Sequence, residues 1–254
     1  MEHADPDPER PHPSGKGKTA LIIGAGDHLG SAIARRFACE GYHIVATRRR
    51  GDLDTLVDGI RQDGGTAIGL HSDARDEAAV TALFEQIETD MPPLDAVVFN
   101  IGGNVRFGIR DTTSRVYRKV WEMCAFAGFL VGREAARLLG ARGSGSILFT
   151  GATASVRGGN GFAAFAGGKF ALRALAQSMA RELGPEGVHV AHVVIDGAID
   201  TAWTRERFPE KFAEGTDDTV LQPDDLAELY WTLHSQPRGA WTFELDVRPH
   251  GEPW

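Results

Sequence analysis

Residues 19–31 read Thr-Ala-Leu-Ile-Ile-Gly-Ala-Gly-Asp-His-Leu-Gly-Ser. A short apolar run ends at Gly24 and passes through a glycine-rich turn, after which Ile33, Phe37 and Ala38 recur at helical spacing. A buried strand that enters a helix this way is the opening of a βαβ unit. Glycines there permit a tight turn and close backbone approach, and the helix N-terminus offers unpaired N–H groups to an anion such as a pyrophosphate.

The same alternation continues outward from that turn. Apolar runs at 43–49, 66–73, 94–102, 146–152 and 188–198 predict further strands, and 240–247 could add a seventh. Between them lie helical stretches at 52–64, 77–90, about 112–140, about 163–184 and 223–235. The run at 94–102 has no polar alternation, as a sheet covered on both faces demands. This predicts an α/β fold, a Rossmann-like doubly wound parallel sheet of about seven strands with helices on both faces. Any ligand then lies along the edge formed by the strands' C-terminal ends. One domain over 18–254 is expected, with a lid at about 202–222 and a disordered tail at 1–17.

Bulk composition narrows the partners. The chain has 254 residues, 42% of them hydrophobic, and a net charge of −8, which disfavours nucleic acid and anionic membrane surfaces. Its two cysteines make neither a disulfide framework nor a zinc site, and no other cluster has metal-ligand spacing, so no metal is expected. No run reaches about 18 apolar residues and the tail lacks the apolar core of a signal peptide. A cytoplasmic protein is the expectation.

The residues after the second strand select the nucleotide. Thr47 is followed by Arg48, Arg49 and Arg50, where an acid would hold both ribose hydroxyls of NAD. Forked guanidinium donors match phosphate oxygens, so NADP(H) is the expected cofactor; a solvated basic turn would read the same way.

These landmarks together resemble the short-chain dehydrogenase/reductase family from about residue 19 to 247. Its glycine-rich turn is matched at Gly24 and Gly30; His28 replaces the middle glycine, with Gly26 extra and Leu29 between. Asp73, followed by Ala74, looks like the family's adenine-binding aspartate, and Asn100-Ile101-Gly102 like its Asn-Ala-Gly stretch. Gly197, Ile199 and Thr201 stand where the family holds the nicotinamide carboxamide, and Lys169 where it holds the nicotinamide ribose. The resemblance also implies a small-molecule substrate and a homo-oligomer, dimer or tetramer, paired through the two long helices.

The same resemblance fails at the chemical positions. The family's Tyr-x-x-x-Lys appears as Phe165-Ala-Gly-Gly-Lys169, Ala152 stands thirteen residues earlier at the serine position, and Cys124 takes the asparagine's place. Loss of a general acid costs about 10²–10⁴ in rate, so ordinary carbonyl reduction needs another donor. Thr153 and Asp196 are the first candidates, with Thr150, Arg157 and Asn160 near them, while Arg106 in the loop after the fourth strand could hold a substrate anion. Each also has a bland role, in loop hydrogen bonding, turn capping or simple solvation. Trp203, Phe208 and Phe212, with Arg205 and Arg207, fall in the lid stretch and suggest an apolar or planar substrate. Three functions fit: an NADP(H)-dependent oxidoreductase with a non-standard site acting on a carbonyl, imine or conjugated molecule, an inactive nucleotide-binding protein, or a non-redox enzyme on the same fold.

Overall fold

A computed structural model describes residues 14–213 and 219–251. Seven parallel strands form one sheet in the order β3-β2-β1-β4-β5-β6-β7. They are β1 (Thr19–Ile23), β2 (His43–Arg48), β3 (Thr66–His71), β4 (Leu94–Phe99), β5 (Ser146–Thr150), β6 (His189–Ile195) and β7 (Glu244–Val247). The helices are α1 (Leu29–Cys39), α2 (Asp54–Gln62), α3 (Glu77–Asp90), α4 (Ser114–Trp121), α5 (Ala127–Arg142), α6 (Ala163–Leu183), α7 (Ala202–Arg207) and α8 (Pro223–His234). The strand order reverses between β1 and β4, which opens a crevice at their C-terminal ends.

Strand periodicity divides the core in two. Ala20, Ile22, Ile44, Ala46 and Val98 point to one face, where α1, α2 and α8 pack. Leu21, Ile23, Val45, Val97 and Phe99 point to the other, under α3, α5 and α6. Helix starts follow their sequence signals. Asp76 accepts from Ala79 N at 3.2 Å to cap α3, and Pro223 opens α8 ahead of Asp224 and Asp225.

Three expectations change. The long helix expected over 112–140 is α4 and α5 joined by one π turn, Glu122–Phe126, which brings Met123 to the crevice and buries Cys124. β7 is only four residues long, Glu244–Val247. Of the stretch 1–17, residues 1–13 lie outside the described residues, while Gly15 is buried against Tyr42 and donates to Glu40 O at 2.8 Å.

A polar cluster closes the opposite, N-terminal edge of the sheet. Asp95 accepts from Lys18 Nζ at 2.9 Å and from the Tyr42 hydroxyl at 2.8 Å. His234 lies 2.7 Å from that hydroxyl through Nε2 and 2.7 Å from Ser146 Oγ through Nδ1. With Tyr42 donating to Asp95, a neutral His234 donates from Nε2 to the phenol and accepts from Ser146. His192 on β6 is fully buried, with Nδ1 3.0 Å from Glu244.

Burial pushes both imidazoles, His192 and His234, down to about 4. The unfolded chain binds those protons near pH 6.5, so between about pH 6.5 and 4 it carries more protons than the folded one. Stability is therefore fully present above this window and is lost as pH falls through it, at roughly 1.4 kcal/mol per pKa unit for each ring. Urea denaturation at stepped pH checks this; a flat free energy from about pH 6.5 to 4.5 would refute the neutral, buried histidines.

Candidate active site

The crevice is a run of three adjoining cavities along the C-terminal edge. The first, of about 250 Å³, lies over the ends of β1–β3 and is lined by Thr47, Arg48, Ser72, Asp73, Ala74 and Met123 among others. The second, of about 570 Å³, shares Gly24, Gly26, Asn100, Ile101 and Gly102 with it and reaches Lys169. The third, of about 890 Å³, shares Asn104, Gly197, Ile199 and Thr201 with the second and extends to Thr153, Asp196 and Trp203.

Backbone proximity builds the first half. Gly24 has φ +85°, and a Cβ there would stand 2.7 Å from Asn100 O. A Cβ on Gly30 would stand 2.3 Å from Gly24 O, so the first turn of α1 is pressed against the loop. Asn100 Nδ2 donates to that same carbonyl at 3.2 Å and ties β4 to the turn. Gly26 and Gly102 are different, because nothing lies within 4 Å of where their Cβ would be. They line the cavities with open space. Leu29 is buried in the core, and the His28 side chain is exposed beside the second cavity.

The polar residues around the first cavity already hold one another. Arg48 Nη1 donates to Asp27 Oδ1 and to Asp52 O, both at 2.8 Å. Arg75 grips Asp73 with Nε and Nη2 at 2.9 and 2.6 Å, and that guanidinium holds the Asp73 carboxyl down to about 2. Arg49 is exposed at the rim. Ser72 Oγ is buried with no hydrogen-bond partner, although it lines the cavity next to Asp73. An orphaned hydroxyl beside glycines with free space fits an adenine dinucleotide.

Lys169 occupies the middle of the groove. It is 2% exposed, and its ammonium donates to Ile101 O at 3.0 Å and to Thr150 O at 2.7 Å, bridging the ends of β4 and β5. Burial lowers its pKa. The Phe165 ring centroid lies 6.0 Å from Lys169 Nζ, and Phe165 packs with Val120, Cys124, Ala154 and Phe162. Burial also raises the Cys124 thiol, with Lys169 opposing. Ala152 is partly buried, packs against that cluster, and donates its backbone N–H to Ser155 Oγ at 3.1 Å.

At the far end Thr153 Oγ1 donates to Asp196 Oδ1 at 2.5 Å, while Arg248 Nη1 pairs with Asp196 Oδ2 at 3.2 Å. Thr153 and Asp196 are therefore brought together. Thr150 is not with them, since its hydroxyl meets Tyr230 at 2.6 Å on the helix side. Asn160 lines none of these three cavities. The Thr201 hydroxyl is spent capping α7, accepting from Thr204 N at 3.0 Å. Sequence reasoning did not find Ser72, Asn104, Arg75 or Arg248. Ser72 and Arg75 flank the aspartate, a signal that was available. Arg248 carried none, because only the path of the chain after β7 brings it to β6.

A family description for short chain dehydrogenases matches residues 18–211. Versicolorin reductase of Emericella nidulans is 34% identical over 215 residues, 83% of this chain and 80% of that protein. A crystal structure of a short-chain dehydrogenase from Rhodopseudomonas palustris is 47% identical with a TM-score of 0.80, covering 92% of this chain and 100% of that one. A 7α-hydroxysteroid dehydrogenase complexed with NADH and 7-oxo glycochenodeoxycholic acid is 27% identical with a TM-score of 0.85, over 94% and 95% of the two chains.

Two glycine substitutions separate folding from binding. Gly24→Ala should cost about 1–3 kcal/mol through its left-handed backbone and its collision with Asn100 O. Gly26→Val should leave stability within about 0.5 kcal/mol yet weaken dinucleotide binding by roughly tenfold or more. Thermal melts paired with dinucleotide titrations check both; unchanged binding in Gly26→Val would move the dinucleotide elsewhere.

Proposed function

This chain belongs to the short-chain dehydrogenase family of oxidoreductases, and on that premise we propose that it is an NADP(H)-dependent oxidoreductase with a non-standard proton path. The observation that carries the reading is the continuity of the groove. An arginine-rimmed first cavity leads past Lys169 to a hydroxyl–carboxylate pair at the other end.

In this reading the domain is 18–254. The backbone from Gly24 to Gly30 takes the pyrophosphate and Asn100 with Gly102 flank the adenosine. Ser72 and Asp73 face the adenine. Arg48 and Arg49 hold the 2′-phosphate, with Thr47 beside them in place of the acid that an NAD site uses. Lys169, Gly197, Ile199 and Thr201 meet the nicotinamide half, Thr201 through its backbone. The bound cofactor supplies or accepts the hydride.

The chain's own residues manage the proton. Phe165, Ala152 and Cys124 take the positions of the family's tyrosine, serine and asparagine, and none of these three is an oxygen acid beside Lys169. Thr153 lines the third cavity with its hydroxyl already bonded to a carboxylate, Asp196. When an alcohol is oxidised, its proton passes to Thr153 Oγ1 as Thr153 gives its own to Asp196. Reduction runs the same transfer backwards. Arg248 orients Asp196 from the other side, and the apolar Phe165 cluster keeps water from the reacting end. Trp203, Thr204, Arg207 and Phe208 form the wall contributed by the lid. Exposed Tyr117 and Trp121 on α4 and Phe129 on α5 support a homo-oligomeric assembly.

Titration should give NADPH affinity in the micromolar range, about tenfold or more tighter than NADH. That preference should vanish in Arg48→Ala/Arg49→Ala. Across a panel of carbonyls, imines and secondary alcohols, Thr153→Ala should lower turnover by about 10²–10⁴ and Thr153→Ser should restore most of it. Failure to bind either dinucleotide defeats the proposal. NADPH binding with no turnover in either direction favours an inactive nucleotide-binding protein instead.

A further inference from the structure

The third cavity collects cations from three separate segments. Arg106 comes from the β4–α4 loop, Arg157 from the β5–α6 loop and Arg207 from α7. The first two loops are tied together, since Phe107 N donates to Gly161 O at 2.8 Å. None of the three guanidiniums has a carboxylate partner among the described residues. Their neighbour Arg205 does, held by both oxygens of Asp200 at 2.7 and 2.6 Å. Among the described residues the only acid lining this cavity is Asp196, whose two oxygens are taken by Thr153 and Arg248. In a chain of net charge −8, this is a concentrated positive field in a concave site.

Three aromatic side chains, Phe162, Trp203 and Phe208, share the wall with them. Phe162 lies under Arg106, with its ring centroid 5.8 Å from the guanidinium carbon. Trp203 is 56% exposed and meets Phe208 edge-on at 5.9 Å. Like charges gathered without counter-ions among the described residues repel, and an oxyanion placed between them relieves that repulsion with forked hydrogen bonds. Flat apolar faces beside them accept a ring.

We infer that the substrate is an anion with a flat apolar body, its carboxylate or phosphate head among Arg106, Arg157 and Arg207 and its ring system against Phe162, Trp203 and Phe208. The inference rests on the third cavity being the substrate end of the proposed groove.

The test uses the full chain loaded with NADP+ and calorimetric titration of four probes that share one ring. These are 2-naphthoate, 2-naphthyl phosphate, 2-naphthylmethanol and (2-naphthylmethyl)trimethylammonium. Either or both anions should bind about tenfold or more tighter than the alcohol, and the cation more weakly still. The two anion arms decide between a carboxylate and a phosphate head. Binding of the anion should weaken as salt rises from about 0.05 to 0.5 M. Single Arg→Gln changes at 106, 157 and 207 should each weaken it about threefold or more, with Arg→Lys intermediate. Normal NADPH binding with no preference for either anion overturns this inference alone. Loss of NADPH binding overturns the reading beneath it as well.

Discussion

A sheet buried on both faces leaves only its two ends for polar chemistry, and this constraint organises the whole molecule. Every strand from β1 to β6 runs parallel, so backbone groups and helix N-termini with the same polarity collect at one edge. The crevice forms where β1 and β4 part, because successive crossovers leave in opposite directions there. The opposite edge needs sealing instead of opening. Asp95, Tyr42, His234 and Ser146 do that with a closed chain of hydrogen bonds in which each buried polar group has a partner.

At the open edge, close packing and vacancy are assigned to different glycines. Gly24 and Gly30 are positions where any side chain would strike backbone, and they press the first turn of α1 against the strand end. Gly26 and Gly102 have nothing within 4 Å of where a Cβ would stand, which leaves room. Lys169 joins the halves of the groove. Its ammonium is too deeply buried to stand without acceptors, and the carbonyls of Ile101 and Thr150 supply them. A lysine placed this way has a structural duty in addition to anything it does for a ligand.

Much of this was legible in the chain itself. Apolar runs separated by helical stretches carried the sheet and its order of elements, and the Gly-rich turn after β1 marked the edge where the crevice lies. The Arg48–Arg49 pair, Asp73, Asn100 and Lys169 all line the cavities along it. Side-chain pairing was not legible. Arg48 is engaged by Asp27, Asp73 by Arg75 and Thr201 by its own helix, and each contact depends on rotamers and loop paths that no motif encodes. The π turn was hidden too, since its residues continue the helical pattern while one extra residue shifts the register.

By itself, then, the sequence determined the wound sheet and the glycine turn, because hydrophobic periodicity and local turn chemistry act over short stretches of chain. Tertiary structure decided which polar groups meet. Thr153 and Asp196 lie 43 residues apart and Arg248 another 52 beyond, and only the parallel register of β5, β6 and β7 places them within hydrogen-bond reach of one another. The gathering of Arg106, Arg157 and Arg207 around one cavity has the same origin: two loops and α7 at one sheet edge, far apart in the chain, brought side by side by strand order.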